Sequence, residues 1–441
     1  MFKLIRVLLA YWKARRLKFD TREALDAYQN KQLLKHLNWL VKNSLYFSKF
    51  QISSSANKPE GIARPLYQFP LMNKEIMMEH FEDMNTAHLP LRAILDIAHE
   101  AEKTRDFSTT LEGYTVGLSS GTSAVRGAFL VSEFEKTQWA GVILANVLQR
   151  GLFAGERVAL FLRADSGLYQ AVRSPWITFQ FFDLVSNFKE RTQELEAYRP
   201  TIIVAPAQVL RQLALATLEE GVVLRPHKVI SVAEVLEQQD RLILERAFRE
   251  VHQVYQATEG LIASTCEKST LHLNEEHLHI EREWLDTNKT KFVPIITDFT
   301  RTTQPIIRYR LNDVLVAGAP CSCGRVSHTL ESIEGRCDDM LLLRAPGGDE
   351  LSIFADAVSR ILAQSLPLQA DYRLTQTGPK DLTLAVQGTD VEVDAIRVQL
   401  MAGLATMGVD TTNLVWTLTS VIPPFNPTVK RRRITRQYSH S

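Results

Sequence analysis

The chain has 441 residues, more than one ordinary domain needs, which predicts about two or three domains. Hydrophobic residues make up 45% of the sequence and charged residues 23%, as expected of a globular protein with a large core. The 51 Lys and Arg residues almost balance the 50 Asp and Glu residues, so the sequence lacks the basic surplus typical of nucleic-acid-binding proteins.

The N-terminal segment contains a short apolar run over residues 7–12. The basic stretch 13–16 follows it directly. The run is too short to span a bilayer and no small-residue cleavage site follows it, so it is a poor signal peptide. We expect an amphipathic helix docked on the main domain. Contact with a membrane surface is the alternative, because basic residues lie beside Trp12 and Phe19. No later segment reaches membrane-spanning length, and a cytoplasmic protein is therefore expected.

The first hundred or so residues are predicted to form helices with loops. Apolar residues recur at helical spacing over residues 22–43, after Asp20 and Thr21 as candidate caps. From about residue 158, short apolar runs alternate with longer helical ones. Strands are predicted over residues 158–162, 177–182, 202–205, 229–232 and 253–255, and helices over 209–218 and 236–248. This alternation predicts an α/β fold with a parallel or mixed sheet, whose ligands bind at the carboxyl ends of the strands.

A smaller α+β unit is predicted beyond about residue 338. Residues 372–376 and 382–386 flank Gly378-Pro379-Lys380 as a hairpin, and a helix over 391–404 and a strand over 414–418 follow. We therefore predict an N-terminal domain over residues 1–337 and a small C-terminal domain over residues 338–441.

A run of small hydroxylated residues surrounds a glycine at Ser119-Ser120-Gly121-Thr122-Ser123. The glycine permits a tight turn, and hydroxyls and amides together can surround phosphate oxygens. No Gly-Lys-Ser/Thr sequence follows, so this is not a Walker loop. By itself such a run is more typical of an exposed loop.

Four further motifs follow in order along the chain. They are Tyr255-Gln256-Ala257-Thr258-Glu259-Gly260, Ile307-Arg308-Tyr309-Arg310-Leu311-Asn312-Asp313, Gly335-Arg336-Cys337-Asp338-Asp339, and Lys430 with Arg433. With the first run, these motifs resemble the signature loops of the adenylate-forming (ANL) superfamily. Two more segments, Thr297-Asp298-Phe299 with Gln304-Pro305-Ile306 and Cys321-Ser322-Cys323-Gly324-Arg325, resemble the branch of phenylacetate–CoA ligases and deazaflavin-adenylating synthetases. The resemblance covers nearly the whole chain.

The resemblance implies a large N-terminal α/β domain of the adenylate-forming type and a small mobile C-terminal domain. It also implies a role for each matching residue. The run Ser119, Ser120, Gly121, Thr122 and Ser123 would hold the β- and γ-phosphates of ATP. Asp338 matches the hinge aspartate about which the small domain rotates.

The other matches imply nucleotide and metal contacts. Tyr255 would stack on adenine, while Asp313 would accept hydrogen bonds from the ribose with Arg336 beside it. The remaining three residues act nearer the phosphates. Thr258 would bond the α-phosphate, Glu259 would coordinate Mg²⁺, and Lys430 would neutralise charge in the transition state of adenylation. A plain basic tail is the alternative for Lys430.

The phosphate loop departs from the common family pattern. Many adenylate-forming enzymes continue it as Gly-x-Pro-Lys, whereas this chain has Ala124, Val125, Arg126 and Gly127. The usual lysine is absent, and an arginine is not equivalent to it at a phosphate. We expect a divergent subfamily with altered kinetics or substrate rather than an inactive protein.

The four cysteines lie late in the sequence, which favours a metal site or free thiols over a disulfide framework. Cys266, His272, Cys321 and Cys323 would complete a closed tetrahedral site for structural Zn²⁺, and their pairing resembles sites in relatives of this branch. Cys337 lies inside a nucleotide motif and is not counted as a ligand. The alternative is a set of unrelated buried thiols and a surface histidine.

The implied activity is that of an acid–thiol ligase with ATP, Mg²⁺ and CoA. A carboxylate attacks the α-phosphorus to give acyl-AMP, and a thiol, preferably that of CoA, then displaces AMP. Three alternatives stay open: transfer to a carrier protein, amine or hydroxyl; a degenerate homologue that serves as a binding subunit; and a nucleotidyltransferase that leaves AMP on its product. The sequence names neither the acid nor the oligomeric state, and a homodimer is one option.

Overall fold

The computed structural model of the chain describes residues 2–52, 63–104, 106–119, 127–162, 177–184, 188–336, 340–388, 391–424 and 431–438, apart from the side chains of Phe2 and Asp356. Within these ranges, none of the helices has both the length and the apolar character that crossing a bilayer needs.

Helices dominate the first hundred residues, as predicted. They are α1 (Phe2–Arg16), α2 (Arg22–Asn43), α3 (Leu45–Ser48), α4 (Lys74–Glu79), α5 (Phe81–Met84) and α6 (Leu91–Thr104), with a 3-10 turn at Leu66–Gln68. Helix α2 has the predicted bounds, and Thr21 is its cap because its hydroxyl accepts a hydrogen bond from the Ala24 amide at 3.2 Å.

A small antiparallel sheet and one helix connect this region to the main sheet. The sheet contains β1 (Thr110–Leu111), β2 (Tyr114–Leu118) and β3 (Ala128–Val131), and α7 (Glu133–Val147) follows. Helix α7 starts with a capping box, in which the Ser132 hydroxyl and the Glu135 carboxylate each accept from the other residue's backbone amide.

The predicted alternation of strands and helices is confirmed. The strands are β4 (Glu156–Leu162), β5 (Ile177–Asp183), β6 (Ile202–Pro206), β7 (Lys228–Val232) and β8 (Val251–Ala257), and the helices are α8 (Phe188–Tyr198), α9 (Ala207–Glu219) and α10 (Gln238–Ala247). The strands pair in parallel in the order β5-β4-β6-β7-β8. Their carboxyl ends therefore meet at one edge of the sheet.

Antiparallel strands that the sequence analysis did not predict extend this sheet beyond β8. They are β9 (Gly260–Thr265), β10 (Leu271–Leu273), β11 (Leu278–Trp284), β12 (Lys291–Asp298), β13 (Ile306–Arg310), β14 (Asp313–Ala317) and β15 (Thr329–Arg336). In the described part of the chain they complete a mixed sheet of 12 strands. The extension continues the order beyond β8 as β9-β10-β15-β14-β12-β11, with β13 paired to β12.

The C-terminal part forms a smaller α+β unit. Its elements are β16 (Leu341–Arg344), β17 (Glu350–Ile353), α11 (Ala355–Ser365), β18 (Asp371–Gln376), β19 (Asp381–Gln387), α12 (Val393–Thr406), β20 (Val415–Thr419) and β21 (Ile434–Arg436). Strands β18 and β19 form the predicted antiparallel hairpin, and helix and strand follow as expected. These elements share one apolar core that includes Leu374, Leu384 and Leu400. The predicted boundary between residues 337 and 338 lies outside the described ranges.

Candidate nucleotide and metal sites

A cleft of about 620 Å³ lies between the carboxyl ends of β7 and β8 and the strands β13 to β15. The C-terminal residues 431–434 form part of its wall. Every described residue that the sequence analysis assigned to the nucleotide lines this cleft, namely Ser119, Tyr255, Thr258, Glu259, Asp313 and Arg336. Residues separated by more than two hundred positions in the sequence thus line one cleft.

Tyr255, Asp313 and Arg336 form one group in the cleft. The Tyr255 hydroxyl donates a hydrogen bond to Asp313 Oδ2 at 2.6 Å, and Asp313 stands opposite Arg336 in the pairing of β14 with β15. Burial, reinforced by the Asp313 carboxylate, raises the pKa of Tyr255 well above its ordinary value. The phenol therefore stays a donor. A carboxylate accepts several hydrogen bonds, so Asp313 keeps the capacity to accept from a ribose as well.

Thr258 and Glu259 lie in the turn between β8 and β9, and two residues fix this turn. Arg301 Nη1 donates to the Thr258 carbonyl at 2.6 Å. The Tyr309 hydroxyl is hydrogen-bonded to the Glu259 carboxylate, and burial together with that carboxylate raises the pKa of Tyr309. A carboxylate held in this way offers oxygen to a hard cation such as Mg²⁺.

Ser119 forms the base of the predicted phosphate loop. Its amide donates to the Gly127 carbonyl at 2.6 Å, and its hydroxyl accepts from the Gly127 amide at 2.9 Å. The loop between them, including Ser120, Gly121, Thr122, Ser123 and Arg126, lies outside the described residues. Lys74 lines the cleft at this base, since its Cγ is 3.7 Å from the point where a Cβ on Gly127 would stand.

Lys430 and Asp338 also lie outside the described residues, but the chain directly after Lys430 is held in place. The Arg431 amide donates to Glu234 Oε1 at 3.4 Å, and its guanidinium pairs with Asp240 at the start of α10. Arg433 Nη2 donates to Asp240 Oδ1 at 2.9 Å. The residue after Lys430 therefore contacts the wall of the cleft.

We call Arg211, Asp240, Arg431 and Arg433 the ionic cluster. Arg211 Nη1 lies 3.4 Å from Asp240 Oδ1, so three guanidinium groups converge on one fully buried carboxylate. Burial alone would raise the pKa of Asp240, but Arg431, Arg433 and Arg211 outweigh it and hold this pKa below its ordinary value.

The ionic cluster joins the C-terminal unit to the helices of the main sheet. Arg433 Nε also donates to Asp371 Oδ1 at 3.1 Å, at the start of β18. Arg211 Nη2 donates to the carbonyls of Gln369 and Ala370 at 2.8 and 3.1 Å. Opposite charges on two parts of the chain therefore fix how these parts meet.

The thiol cluster consists of Cys266, His272, Cys321 and Cys323, whose ligand atoms all lie within 4.8 Å of one another. Cys266 follows β9, His272 belongs to β10, and the other two lie in the loop between β14 and β15. The Sγ atoms of Cys266 and Cys321 are 3.7 Å apart, and Cys323 Sγ is 3.4 Å from His272 Nε2. Tetrahedral zinc with Zn–S bonds of about 2.3 Å separates two sulfur ligands by about 3.8 Å, so the donors fit that ion.

The surroundings of the thiol cluster also suit a cation. His272 is 2% exposed, so the alternative of a surface histidine is wrong. Its Nδ1 lies 3.2 Å from the Ser327 carbonyl, which orients Nε2 toward the thiols. The Lys268 and Arg325 amides donate to the sulfurs of Cys266 and Cys323 at 3.3 and 3.4 Å. The four predicted ligands lie together in the structure, and zinc itself stays a prediction.

No protein-family model matches the sequence, and no curated protein matches it. Several solved structures do match. 2-Hydroxyisobutyryl-CoA ligase, in the postadenylation state with R3-HIB-AMP, has a TM-score of 0.66 at 16% identity, over 94% of this chain and 90% of that chain. The same ligase in an open conformation with 2-HIB-AMP and CoA has a TM-score of 0.56 at 15% identity, over 94% and 91%. The amide bond synthetase McbA of Marinactinospora thermotolerans has a TM-score of 0.53 at 15% identity, over 72% and 68%.

The chain has the adenylate-forming fold. The predicted fold class is thereby confirmed. Neither of these proteins is a phenylacetate–CoA ligase, so the predicted branch stays a prediction. In this adenylate-forming fold, the cleft lies at the carboxyl edge of the parallel strands, where ligands of open α/β sheets bind.

Sequence reasoning missed several residues of the cleft. Tyr309 stands inside a quoted motif but received no role, and Lys74 follows Asn73 in a segment without any motif. Outside the cleft, Asp240 and Arg211 of the ionic cluster were also missed, because a buried charge on an amphipathic helix has the sequence pattern of an exposed one. Lys74 provides a cation at the base of the predicted phosphate loop, which lacks the lysine common in adenylate-forming enzymes.

Proposed function

We propose that the chain activates a carboxylic acid with ATP to give acyl-AMP and then transfers the acyl group to a thiol, preferably that of CoA. The observation that carries this proposal is the convergence of Tyr255, Asp313, Arg336, Thr258 and Glu259 in one cleft. A molecule with this fold and this set of donors is suited to bind a nucleotide and polarise its α-phosphate.

In the proposed first step, a substrate carboxylate oxygen attacks the α-phosphorus and pyrophosphate leaves. Thr258 bonds the α-phosphate, Glu259 provides the carboxylate for Mg²⁺, and Lys430 offsets the developing negative charge. Tyr255 and Asp313 hold the adenosine, and Ser119 to Ser123 hold the departing phosphates. In the second step, the thiol sulfur attacks the acyl carbonyl, AMP leaves, and the thiol proton passes to solvent.

Two domains are proposed, residues 1–337 and 338–441, with Asp338 as the hinge between the steps. The ionic cluster supports this, because it holds the residues after Lys430 against the cleft wall. The structure is also more similar to the postadenylation state of 2-hydroxyisobutyryl-CoA ligase, with a TM-score of 0.66, than to its open conformation, with a TM-score of 0.56. Charge pairs of this kind can break and form again when a unit rotates.

A different acceptor is the second candidate. The similarity to an amide bond synthetase favours an amine, and a carrier-protein thiol or a hydroxyl remains compatible with the same first step. The altered phosphate loop also fits a biosynthetic acyl-AMP ligase. A structural Zn²⁺ in the thiol cluster is proposed for either candidate, since a closed set of four ligands leaves no position for a substrate.

The test is ATP–pyrophosphate exchange with a panel of aryl, aliphatic and amino acids. We expect exchange with at least one acid, and Lys430→Ala should lower it by about two to three powers of ten. The same variant should still form thioester from supplied acyl-AMP. Identifying AMP or an adenylylated product separates a ligase from a nucleotidyltransferase. Absence of exchange with every acid of the panel would contradict the proposal and leave the nucleotidyltransferase and the binding subunit as alternatives.

A further inference from the structure

Helix α1 is docked on the main body through one face only. Val7, Ala10 and Tyr11 are buried against α7. The approach is close at Gly141 of α7, where an added Cβ would stand 2.5 Å from the Ala10 Cβ and 2.6 Å from the Tyr11 amide. The predicted docking of this helix is thus confirmed, and its opposite face points to solvent.

That opposite face is apolar at its centre. Ile5, Leu9 and Trp12 are 45%, 64% and 45% exposed. At roughly 100° per residue, these three side chains lie within about 60° of one another around the helix axis. A surface helix of a globular protein normally has polar residues in the middle of its solvent face, and a helix that is apolar on both faces is normally covered on both.

Basic residues border this apolar stripe. Helix α1 contains Lys3, Arg6, Lys13, Arg15 and Arg16 and no acidic residue, although the whole chain has a net charge of only +1. On the helical projection, Arg6 and Lys13 flank the stripe on one side. Arg15 lies on the other side, where its Nη1 donates to the Leu148 and Gln149 carbonyls at 3.4 and 3.2 Å. An exposed Trp and Leu stripe between Lys and Arg is the pattern of helices that lie in a membrane interface.

We propose that the outer face of α1 binds peripherally to an anionic lipid surface. Ile5, Leu9 and Trp12 enter the boundary between headgroups and acyl chains, and Arg6 and Lys13 beside the stripe neutralise lipid phosphates. The 15 residues of α1 are too few to span a bilayer, so the helix lies in the plane of the surface. Docking on α7 holds the helix preformed, which removes the cost of folding it at the membrane.

A second copy of the chain is a poorer occupant of the same face. A two-fold contact through α1 would bring Arg6, Lys13 and Arg16 close to the same cations of the second copy, with no acidic residue on either helix. Like charges across an interface oppose association. The charge of the helix therefore favours phosphate-bearing lipid over self-association.

The test is sedimentation of the full chain with phosphatidylcholine vesicles, with and without phosphatidylglycerol at roughly one part in three. We expect binding only to the anionic vesicles, and weaker binding as salt is added. Leu9→Glu should lower the partition coefficient by about tenfold or more. Leu45→Glu is the matched control, because Leu45 is 63% exposed and belongs to α3, not to α1.

Two further measurements keep the result unambiguous. Melting curves of both variants must match the wild type, since both side chains are largely exposed, and nucleotide binding must be unchanged. Absence of binding to anionic vesicles, or equal binding by Leu9→Glu and Leu45→Glu, overturns the proposal. Dimerisation that Leu9→Glu abolishes, without lipid binding, would show instead that the face is an interface between copies.

Discussion

The ionic cluster and the thiol cluster both bury polar side chains, but the first connects two parts of the chain and the second connects elements of one sheet. The ionic cluster joins helices of the main sheet to a C-terminal unit that follows more than a hundred residues later. The thiol cluster joins a turn, a strand and a loop within a single sheet. Buried ion pairs contribute little net stability yet are costly to break on one side, whereas structural metal ligands contribute to folding directly. The first is thus suited to a reversible contact and the second to a permanent one.

Among substitutions in the two clusters, removing the carboxylate of the ionic cluster should have the largest effect. Asp240→Asn leaves three guanidinium groups without their shared partner, and breaking a buried pair in this way costs about 3–5 kcal/mol. We expect ATP–pyrophosphate exchange to fall by about two powers of ten, since the residues after Lys430 lose their anchor. Thioester formation from supplied acyl-AMP should be nearly unchanged.

The control for that variant is Glu245→Gln, an acid on the same helix whose side chain is 50% exposed and pairs with Arg241 at 3.7 Å. It should leave both half-reactions within about twofold of wild type, because exposed ion pairs are worth little. Equal loss of both half-reactions in Asp240→Asn would mean that the cluster only stabilises the fold.

Removing thiols should affect stability and not chemistry. Cys321→Ser together with Cys323→Ser should release about one zinc per chain and lower the melting temperature, while exchange at a temperature well below melting stays within a few-fold. Cys337→Ser should retain the metal. The readouts are elemental analysis and thermal melting, and negligible zinc in wild-type protein purified without chelators would contradict the site.

The two clusters should be lost at different pH values when the solution is acidified. The folded-state pKa of Asp240 is depressed, so its stabilising contribution is present above the ordinary aspartate range and disappears as the pH falls through the lowered pKa. Zinc must compete with protons for three thiolates and an imidazole, so metal release should come at milder acidity. We expect zinc, followed with a chromogenic chelator, to leave before the C-terminal unit separates. The reverse order would show that the ionic cluster is the weaker connection.

The parallel half of the sheet could be predicted from sequence because its strands are uninterrupted apolar runs. The antiparallel half could not, and β11 shows why: Glu281 and Glu283 make it look like a loop. In the structure these acids pair with Arg308 and Arg310 on β13 at 2.9 and 2.7 Å. The charged residues that make this segment look like a loop in the sequence form ion pairs that stabilise the strand in the fold.

The residues of the candidate nucleotide cleft were predictable for a different reason, since they stand in contiguous motifs at the ends of strands. Tyr255, Thr258 and Glu259 occupy one turn, and Asp313 and Arg336 are brought opposite each other by strand pairing. The ionic cluster is different, because Arg211 and Asp240 stand in no motif and only its other two members lie in the segment after Lys430. The folded chain alone shows that Asp240 has three cationic partners.

The smallest expected effect concerns Tyr255, which the sequence assigns to stacking and the structure also shows as a hydrogen-bond donor to Asp313. Tyr255→Phe keeps the aromatic face and removes only the hydroxyl. A hydrogen bond to a charged acceptor contributes about 1.5–3 kcal/mol, but Asp313 lies at the cleft and can take a water molecule or a ribose hydroxyl in its place. We therefore expect the KM for ATP to rise by roughly fivefold or less, with kcat almost unchanged. Tyr255→Ala, which also removes the ring, should raise it further. Equal effects of the two substitutions would assign the role of Tyr255 to holding Asp313, and stacking on adenine would then contribute nothing measurable.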